Sequence, residues 1–415
     1  LVVRIANELA ASAPVTLVID DYHLVGNSKI DEALERRIEL APEGFLLVLG
    51  TRVDPCLRLS RLRVRSQLVE IRADRLRFDV GETHLLLDGR HLTEEQSASL
   101  CARTEGWAAG LVLAGLSLDR SDDHDRFVEA FQGNDRLVVD YLTEEYLAGV
   151  GEIDRQRMLE TAVLDQMTGP LIDAVCGTDD GARWLPALTA TNQLLIGLDN
   201  TDTAFRYHHL LRDLLLIEAE RDIPHRLVDL HLAAAHWHHE HGDTYQAIHH
   251  FISGDDLVTA GDLIAVHATK LLNDGQFSTV MALLARLGDL PERHSRSAGT
   301  KGWMDFSTGR FTSARRYYNI AAAHDDGTDA NLIAALGIMV NLAEGDLNTA
   351  LSLAATMSQP VESTQAIGLA AVHTWAGQFE QARRYIAIAR EPVSYTHLTL
   401  PTTCNLCRSR WSPYH

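Results

Sequence analysis

Cysteine is scarce in this chain: five in 415 residues, at positions 56, 101, 176, 404 and 407. So few, so scattered, exclude a disulfide framework and point to a reducing, cytoplasmic setting. No apolar run reaches the roughly 18 residues of a membrane span. The first residues lack the basic, apolar and small-residue order of a secretory leader, so no membrane partner is expected. Positive charge is also short: 37 Lys and Arg stand against 57 Asp and Glu, a net charge of −20. Such acidity repels nucleic acid unless a basic module is carried elsewhere. Neither HExxH nor GxxxxGK[ST] occurs anywhere, so a zinc-protease helix and a phosphate-cradling loop are both missing from these residues.

What is present divides by periodicity, and the length implies about two to four domains. Residues 1–75 read as α/β. Strand "VTLVID" (15–20), helix "IDEALERRIELA" (30–41), strand "FLLVLG" (45–50) and a third strand "SQLVEIR" (66–72) follow in order. Continuous apolar strands with a helix between them predict a parallel sheet buried on both faces. Residues 76–135 turn helical, with Thr93 and Gln96 spaced as a capping box and Gly106–Trp107 breaking the helices. Residues 136–224 mix helices with a hairpin over 194–210, in which "NTDT" supplies the turn.

From residue 225 to 390 the pattern is all helical and repetitive. "GDTYQA" at 242, "GQFSTV" at 275, "GRFTSA" at 309, "GDLNTA" at 345 and "GQFEQA" at 377 recur at spacings of 33, 34, 36 and 32. A period near 34 residues, with Gly at the turn and a small residue in the next helix, is the tetratricopeptide pattern. Such helix pairs must stack to bury their apolar faces, which builds a concave binding groove. The periodicity stops near Arg390. Residues 391–415, rich in Thr, Pro and Cys, are read as a spurious tail, because Val393 to Thr403 resembles a translated library adapter. The CxxC of Cys404 and Cys407 is set aside with it.

Three places carry candidate chemistry. Asp20 and Asp21 end a buried-type strand. They read either as a pair holding Mg²⁺ and orienting an attacking water, or as solvated acids at a strand end. Arg52 lies just past the second strand, on the edge where ligands bind in open α/β sheets, and reads as a phosphate sensor or a surface arginine. His208 and His209 in "RYHHL" read as phosphate donors or as structural residues. The histidine-rich run 231–243 spreads round several helix faces and reads as a polar repeat helix rather than a metal site. The basic run 58–65 lacks interleaved aromatics, so nucleic-acid binding is not expected of it.

The order "LVIDDYHLV", "LVLGTRVDPCLRLSRLRVRSQLVEIRADRLRF", "TEGWAAGLVLAGLSL", "FRYHHLLRDLL" and then repeats resembles the MalT-like regulators of the LuxR family, which are STAND ATPases. The resemblance covers about residues 1 to 390. It implies a multidomain chain: the C-terminal part of a P-loop nucleotide-binding domain (1–75), a helical domain (76–135), a winged-helix domain (136–224) and a tetratricopeptide-like superhelix (225–390). It implies that Asp20 and Asp21 form a Walker B pair, that Arg52 is a sensor arginine, and that residues 106–108 pack near adenine, where many members carry proline in place of Ala108. His208 or His209 would hold the ADP-bound resting state.

On this reading the phosphate-cradling loop precedes Leu1 and a DNA-reading domain follows the repeats. The implied function is an inducer-responsive, ATP-dependent transcriptional activator. ATP or ADP with Mg²⁺ is its cofactor, a small molecule or protein on the repeats its inducer, and self-association its active state. ATPase turnover is expected of an intact protein, and none measurable of these residues alone. The alternatives are a STAND-type signalling or scaffold protein with another effector, or a repeat adaptor that binds no nucleotide.

Overall fold

The computed structural model describes residues 14–25, 27–41, 44–51, 54–121, 123–189, 194–199, 201–273, 275–359 and 363–390. Arg52 and the tail after Arg390 lie outside them. Two compact units divide the chain, 1–230 and 231–415.

The first unit opens with strand β1 (Val15–Ile19), helix α1 (Ser28–Glu39) and strand β2 (Phe45–Leu49). Asn27 caps α1 by accepting the Lys29 N–H. The strands pair in parallel, from Val15 opposite Phe45 to Ile19 opposite Leu49, the right arrangement for strands joined by a crossover helix. Two expectations fail here. Residues 66–72 form no strand, and Val69 and Ile71 are exposed. Their charged neighbours fold the segment back instead: Arg63 grips Glu70 with two bonds of 2.8 Å, while Arg72 bridges Glu70 and Asp54. The sheet is also not covered on both faces, since Val18, Leu46 and Val48 stand exposed among the described residues.

Four helices follow: α4 (Val80–Leu86), α5 (Glu94–Thr104), α6 (Ala108–Leu118) and α7 (His124–Ala130), after the short α2 (Leu59–Val64) and α3 (Ala73–Leu76). The Thr93–Gln96 capping box forms in both directions, at 3.1 and 2.7 Å. Between α5 and α6, Glu105 and Gly106 both adopt the left-handed conformation, with φ of 51° and 69°. Gly106 cannot be replaced cheaply, because a Cβ there would lie 2.3 Å from the Phe78 carbonyl oxygen.

Next come α8 (Arg136–Leu142), α9 (Glu152–Thr161), β3 (Met167–Thr168), α10 (Gly169–Cys176), α11 (Gly181–Thr189), β4 (Leu195–Gly197), β5 (Ala204–Tyr207) and α12 (His209–Asp222). The three strands form an antiparallel sheet in the order β3-β5-β4. β4 and β5 are the expected hairpin, and β3 adds an outer strand too short to read from sequence. Phe205 and Tyr207 point into the core at 1% exposure each, which places the intervening Arg206 on the opposite face. Tyr207 and Thr161 share a buried hydroxyl contact of 2.8 Å.

The repeats begin with the helix Pro224–Glu240, which runs across the division at residue 230, and continue through the second unit. Their helix pairs are Pro224–Glu240 with Thr244–Ser253, Leu257–Asn273 with Phe277–Arg286, Ser295–Ser307 with Phe311–His324, Ala330–Glu344 with Leu347–Thr356, and Ser363–Trp375 with Phe379–Arg390. The five motif glycines all have positive φ, between 72° and 85°. After each, the next residue's N–H closes on the carbonyl five residues back, as in Asp243 to His238 and Asp346 to Asn341, both at 2.9 Å. This is the Schellman closure, which needs a residue without a Cβ penalty. The motif's small residue, Ala247, Val280, Ala314, Ala350 or Ala382, is at most 3% exposed. Apolar clusters around Phe251 and Leu284, Ala298 and Ile333, Ala314 and Leu336, and Ile338 and Leu369 carry the packing from pair to pair.

Candidate functional site

The Asp20–Asp21 pair stands on the C-terminal edge of the parallel strands. β1 ends at Ile19, whose carbonyl accepts the Gly50 N–H at 2.9 Å, so the tips of β1 and β2 are locked side by side. Asp20 then lies directly over Gly50: a Cβ on that glycine would sit 2.3 Å from the Asp20 Oδ1. The same oxygen accepts the N–H of Asp21 at 3.0 Å. Asp21 takes the left-handed conformation with φ 49°, a strained choice for a non-glycine residue that turns the chain at once. Its carboxylate is 3.9 Å from the His23 Nδ1.

Tyr22 anchors this turn from below. It is 4% exposed, its N–H meets the Gly50 carbonyl at 2.9 Å, and its hydroxyl donates to Asp31 Oδ1 at 2.5 Å. Burial, then the Asp31 carboxylate, pushes the Tyr22 hydroxyl up to about 12. The phenol therefore stays protonated and holds α1 to the turn. Both aspartates remain exposed. They offer hard oxygen donors with open positions, the set that suits a Mg²⁺ ion carried in on phosphates rather than a closed protein cage. Among the described residues no group of three or more His, Cys, Asp or Glu could hold a metal by itself.

The second candidate lies where the α5–α6 corner meets the hairpin and α12. His208 is 3% exposed. Its Nε2–H donates to the Thr104 carbonyl at 2.9 Å, and its Nδ1 accepts the Leu210 N–H at 3.3 Å, so it caps α12. Both ring nitrogens are thus occupied by protein, and the tautomer follows from the partners. Trp107 lies edge-on to the ring at 5.7 Å. Burial pulls the His208 pKa below the ordinary histidine value. His209, by contrast, has a side chain 61% exposed, 3.8 Å from Glu105. It opens on a cleft of about 280 Å³ shared with Arg103, Gln132, Arg212 and Asp213. Arg103 and Arg212 are themselves engaged, the first on the carbonyls of Glu129 and Phe131, the second on Asp165 and the Ala162 carbonyl.

Glu105 organises this corner, and sequence reasoning missed it. Its carboxylate, 8% exposed, takes a bidentate grip from Arg206 at 2.7 and 2.6 Å and a longer contact from Arg77 at 3.4 Å. It also accepts the His209 N–H at 3.2 Å. Burial works to raise its pKa, but the Arg206 bonds and the surrounding positive groups outweigh it and hold the carboxyl at about 2. The only sequence signal was a charged residue at a helix end immediately before glycine. Among the described residues, Asp20 and Asp21 share no hydrogen bond or ion pair with His208 or His209. Arg52 lies outside the described residues.

A three-stranded antiparallel sheet with a hairpin wing and packed helices defines a winged-helix domain. Residues 143–227 match the family described as the MalT winged helix domain. That similarity supports a MalT-like regulator. No described helix is long and apolar enough to cross a membrane.

Proposed function

We propose that this chain is the switch and repeat portion of a MalT-like, LuxR-type transcriptional regulator driven by adenine nucleotide. The observation that carries the reading is the match of residues 143–227 to the MalT winged helix domain. The paired aspartates on the sheet edge support it. On this reading Asp20 contacts the Mg²⁺ that accompanies ATP or ADP, and Asp21 orients water toward the terminal phosphate. Arg52 senses that phosphate. Of the two histidines, His209 is the one that meets phosphate, because its ring is open while both His208 nitrogens are engaged. His208 then serves as the scaffold that holds His209 in place.

The repeats would receive the inducer, and DNA would be read by a separate basic domain. Inducer must favour the open arrangement over the closed one, since a ligand shifts an equilibrium only by its differential affinity. A complete protein containing these residues and a phosphate loop should bind ADP, and Asp20→Ala should weaken Mg²⁺-dependent ATP binding at least tenfold. Equal binding by the wild type and Asp20→Ala would remove the Walker B assignment. The 415-residue chain itself, which has no GxxxxGK[ST], should show no measurable ATP turnover. Turnover abolished by Asp20→Ala in this chain would overturn that expectation.

A further inference from the structure

We propose that Glu105 is a releasable latch, which holds the His208–His209 corner of the winged-helix module against the helical module and frees it without unfolding either. The inference goes beyond nucleotide binding and is tested without it.

Three stretches distant in sequence meet on one carboxylate. Arg77 precedes α4, Glu105 ends α5, and Arg206 to His209 run from β5 into α12. Arg206 Nη1 and Nη2 reach separate Glu105 oxygens at 2.7 and 2.6 Å, the fork geometry that makes arginine–carboxylate pairs strong and directional. Arg77 stands 3.4 Å away and the His209 N–H 3.2 Å away. One residue earlier, the Thr104 carbonyl takes the His208 ring at 2.9 Å. Residues 104 and 105 therefore bolt two adjacent histidines.

The backbone at Glu105 is the second observation. Its φ of 51° costs a non-glycine residue energy, and a glycine would occupy that position without strain. The conformation is held because Gly106 is pinned by the Phe78 N–H on its carbonyl at 2.8 Å. A side chain kept at a strained corner, with its carboxylate aimed across at another module, points to a role for that carboxylate.

Release is feasible because the cations already reach water. The Arg206 and Arg77 side chains are 24% and 35% exposed, so each solvates readily once the pair parts. The Glu105 carboxylate, 8% exposed, is the buried member and gains water only as the two modules part. The neighbouring contacts are of another kind: Gly133 lies against the Leu210 carbonyl so closely that a Cβ would come within 2.1 Å, and its N–H meets Asp213 at 3.1 Å. Those contacts position α12 but carry no exchangeable fork.

Amide hydrogen exchange on the full 415-residue chain tests the latch. Glu105→Gln and Arg206→Gln should each speed exchange at Leu210 and Leu211 at least tenfold, with Ile172 in the same module unchanged. The double variant should add little to either single one. Unaltered exchange at Leu210 would overturn the proposal. So would a uniform rise that includes Ile172, which would make Glu105 a general support of the fold. Arg206→Lys, which keeps the charge but loses the fork, gives the same reading if Glu105→Gln does not fold: local acceleration supports the latch, and its absence refutes it.

Discussion

His208 reaches back 104 residues to place its Nε2–H on the Thr104 carbonyl at 2.9 Å, while its Nδ1 caps the helix that begins at His209. One imidazole thereby gives the Leu210 N–H its acceptor and adds a second donor to the Thr104 carbonyl, which also takes the Trp107 N–H at 2.8 Å. Removing it leaves the Leu210 N–H unmet, at a typical cost of ~1–3 kcal/mol, and strips one of two donors from the Thr104 carbonyl. His208→Ala should therefore lower the thermal midpoint of the chain by several degrees. His209→Ala, which removes a largely exposed ring, should change stability by less than about 0.5 kcal/mol. Equal effects from the two substitutions would mean that the two rings are interchangeable, contrary to their environments.

The same residue imposes a pH dependence. Burial lowers the folded-state pKa of His208 below its unfolded value of about 6.5. The unfolded chain thus takes up the proton more readily, so the neutral ring contributes stability that is complete above that value. The contribution is lost as the pH falls from there through the folded pKa. His208→Gln keeps an N–H for Thr104 but does not titrate. Denaturant unfolding between pH 7 and 5 should show a smaller loss of stability in His208→Gln than in wild type. A parallel loss in both would assign the acid sensitivity to other groups.

Gly50→Ala tests the strand tip. The added Cβ would fall 2.3 Å from Asp20 Oδ1, so the carboxylate must swing away from its place over β2. Asp20 is exposed and can turn by giving up its bond from the Asp21 N–H, so the stability cost should stay under about 1.5 kcal/mol, within the range for mild steric changes. Mg²⁺-dependent nucleotide binding by an intact protein should fall nonetheless, nearly as far as in Asp20→Ala. Full binding by Gly50→Ala would separate Asp20's position from its proposed role.

How much of this could be seen beforehand depended on the range of the interactions. The repeats were legible because their determinants are local: each Gly closes its own turn, and each buried small residue follows its Gly by five positions, as with Gly345 and Ala350. The β1 tip and the 194–210 hairpin were legible for the same reason. Residues 66–72 misled because apolar content reports strand tendency and not the availability of a neighbour, while Glu70 and Arg72 had ion-pair partners close by. Glu105 and Arg206 stand 101 residues apart, a separation no periodicity conveys. His208 and His209 are identical and adjacent in sequence, and only the α5 corner tells them apart.

The repeat core makes a further prediction. Ala314 is fully buried at the position where the second helix of the third pair meets the first. Ala314→Leu adds three carbons where none fit, and overpacking of this kind costs typically ~1–3 kcal/mol. Gly309→Ala forces a Cβ into a backbone with φ 76°, at about 1–2 kcal/mol. Both should lower the unfolding midpoint of the repeat unit while leaving the His208 corner protected in hydrogen exchange. Loss of protection at both places together would show that the two units unfold as one.

Asp305 sits 1% exposed in the first helix of that pair, where Lys301, Arg310 and Ser313 converge on its oxygens at 2.6 to 3.0 Å. Burial works to raise its pKa, yet the Ser313, Lys301 and Arg310 bonds prevail and lower it. The unfolded carboxyl, near ~3.9, binds protons more readily. The ionised group therefore contributes stability that is complete above that value and is lost as the pH falls through the folded pKa. Asp305→Asn keeps the shape, retains the Ser313 contact and removes the charge. It should destabilise the chain at pH 7, by about 1–3 kcal/mol for lost hydrogen bonds to a charged group. The difference from wild type should shrink as the pH is taken from 5 toward 3. A difference that stays constant over that interval would place the loss in packing rather than in the carboxylate's charge.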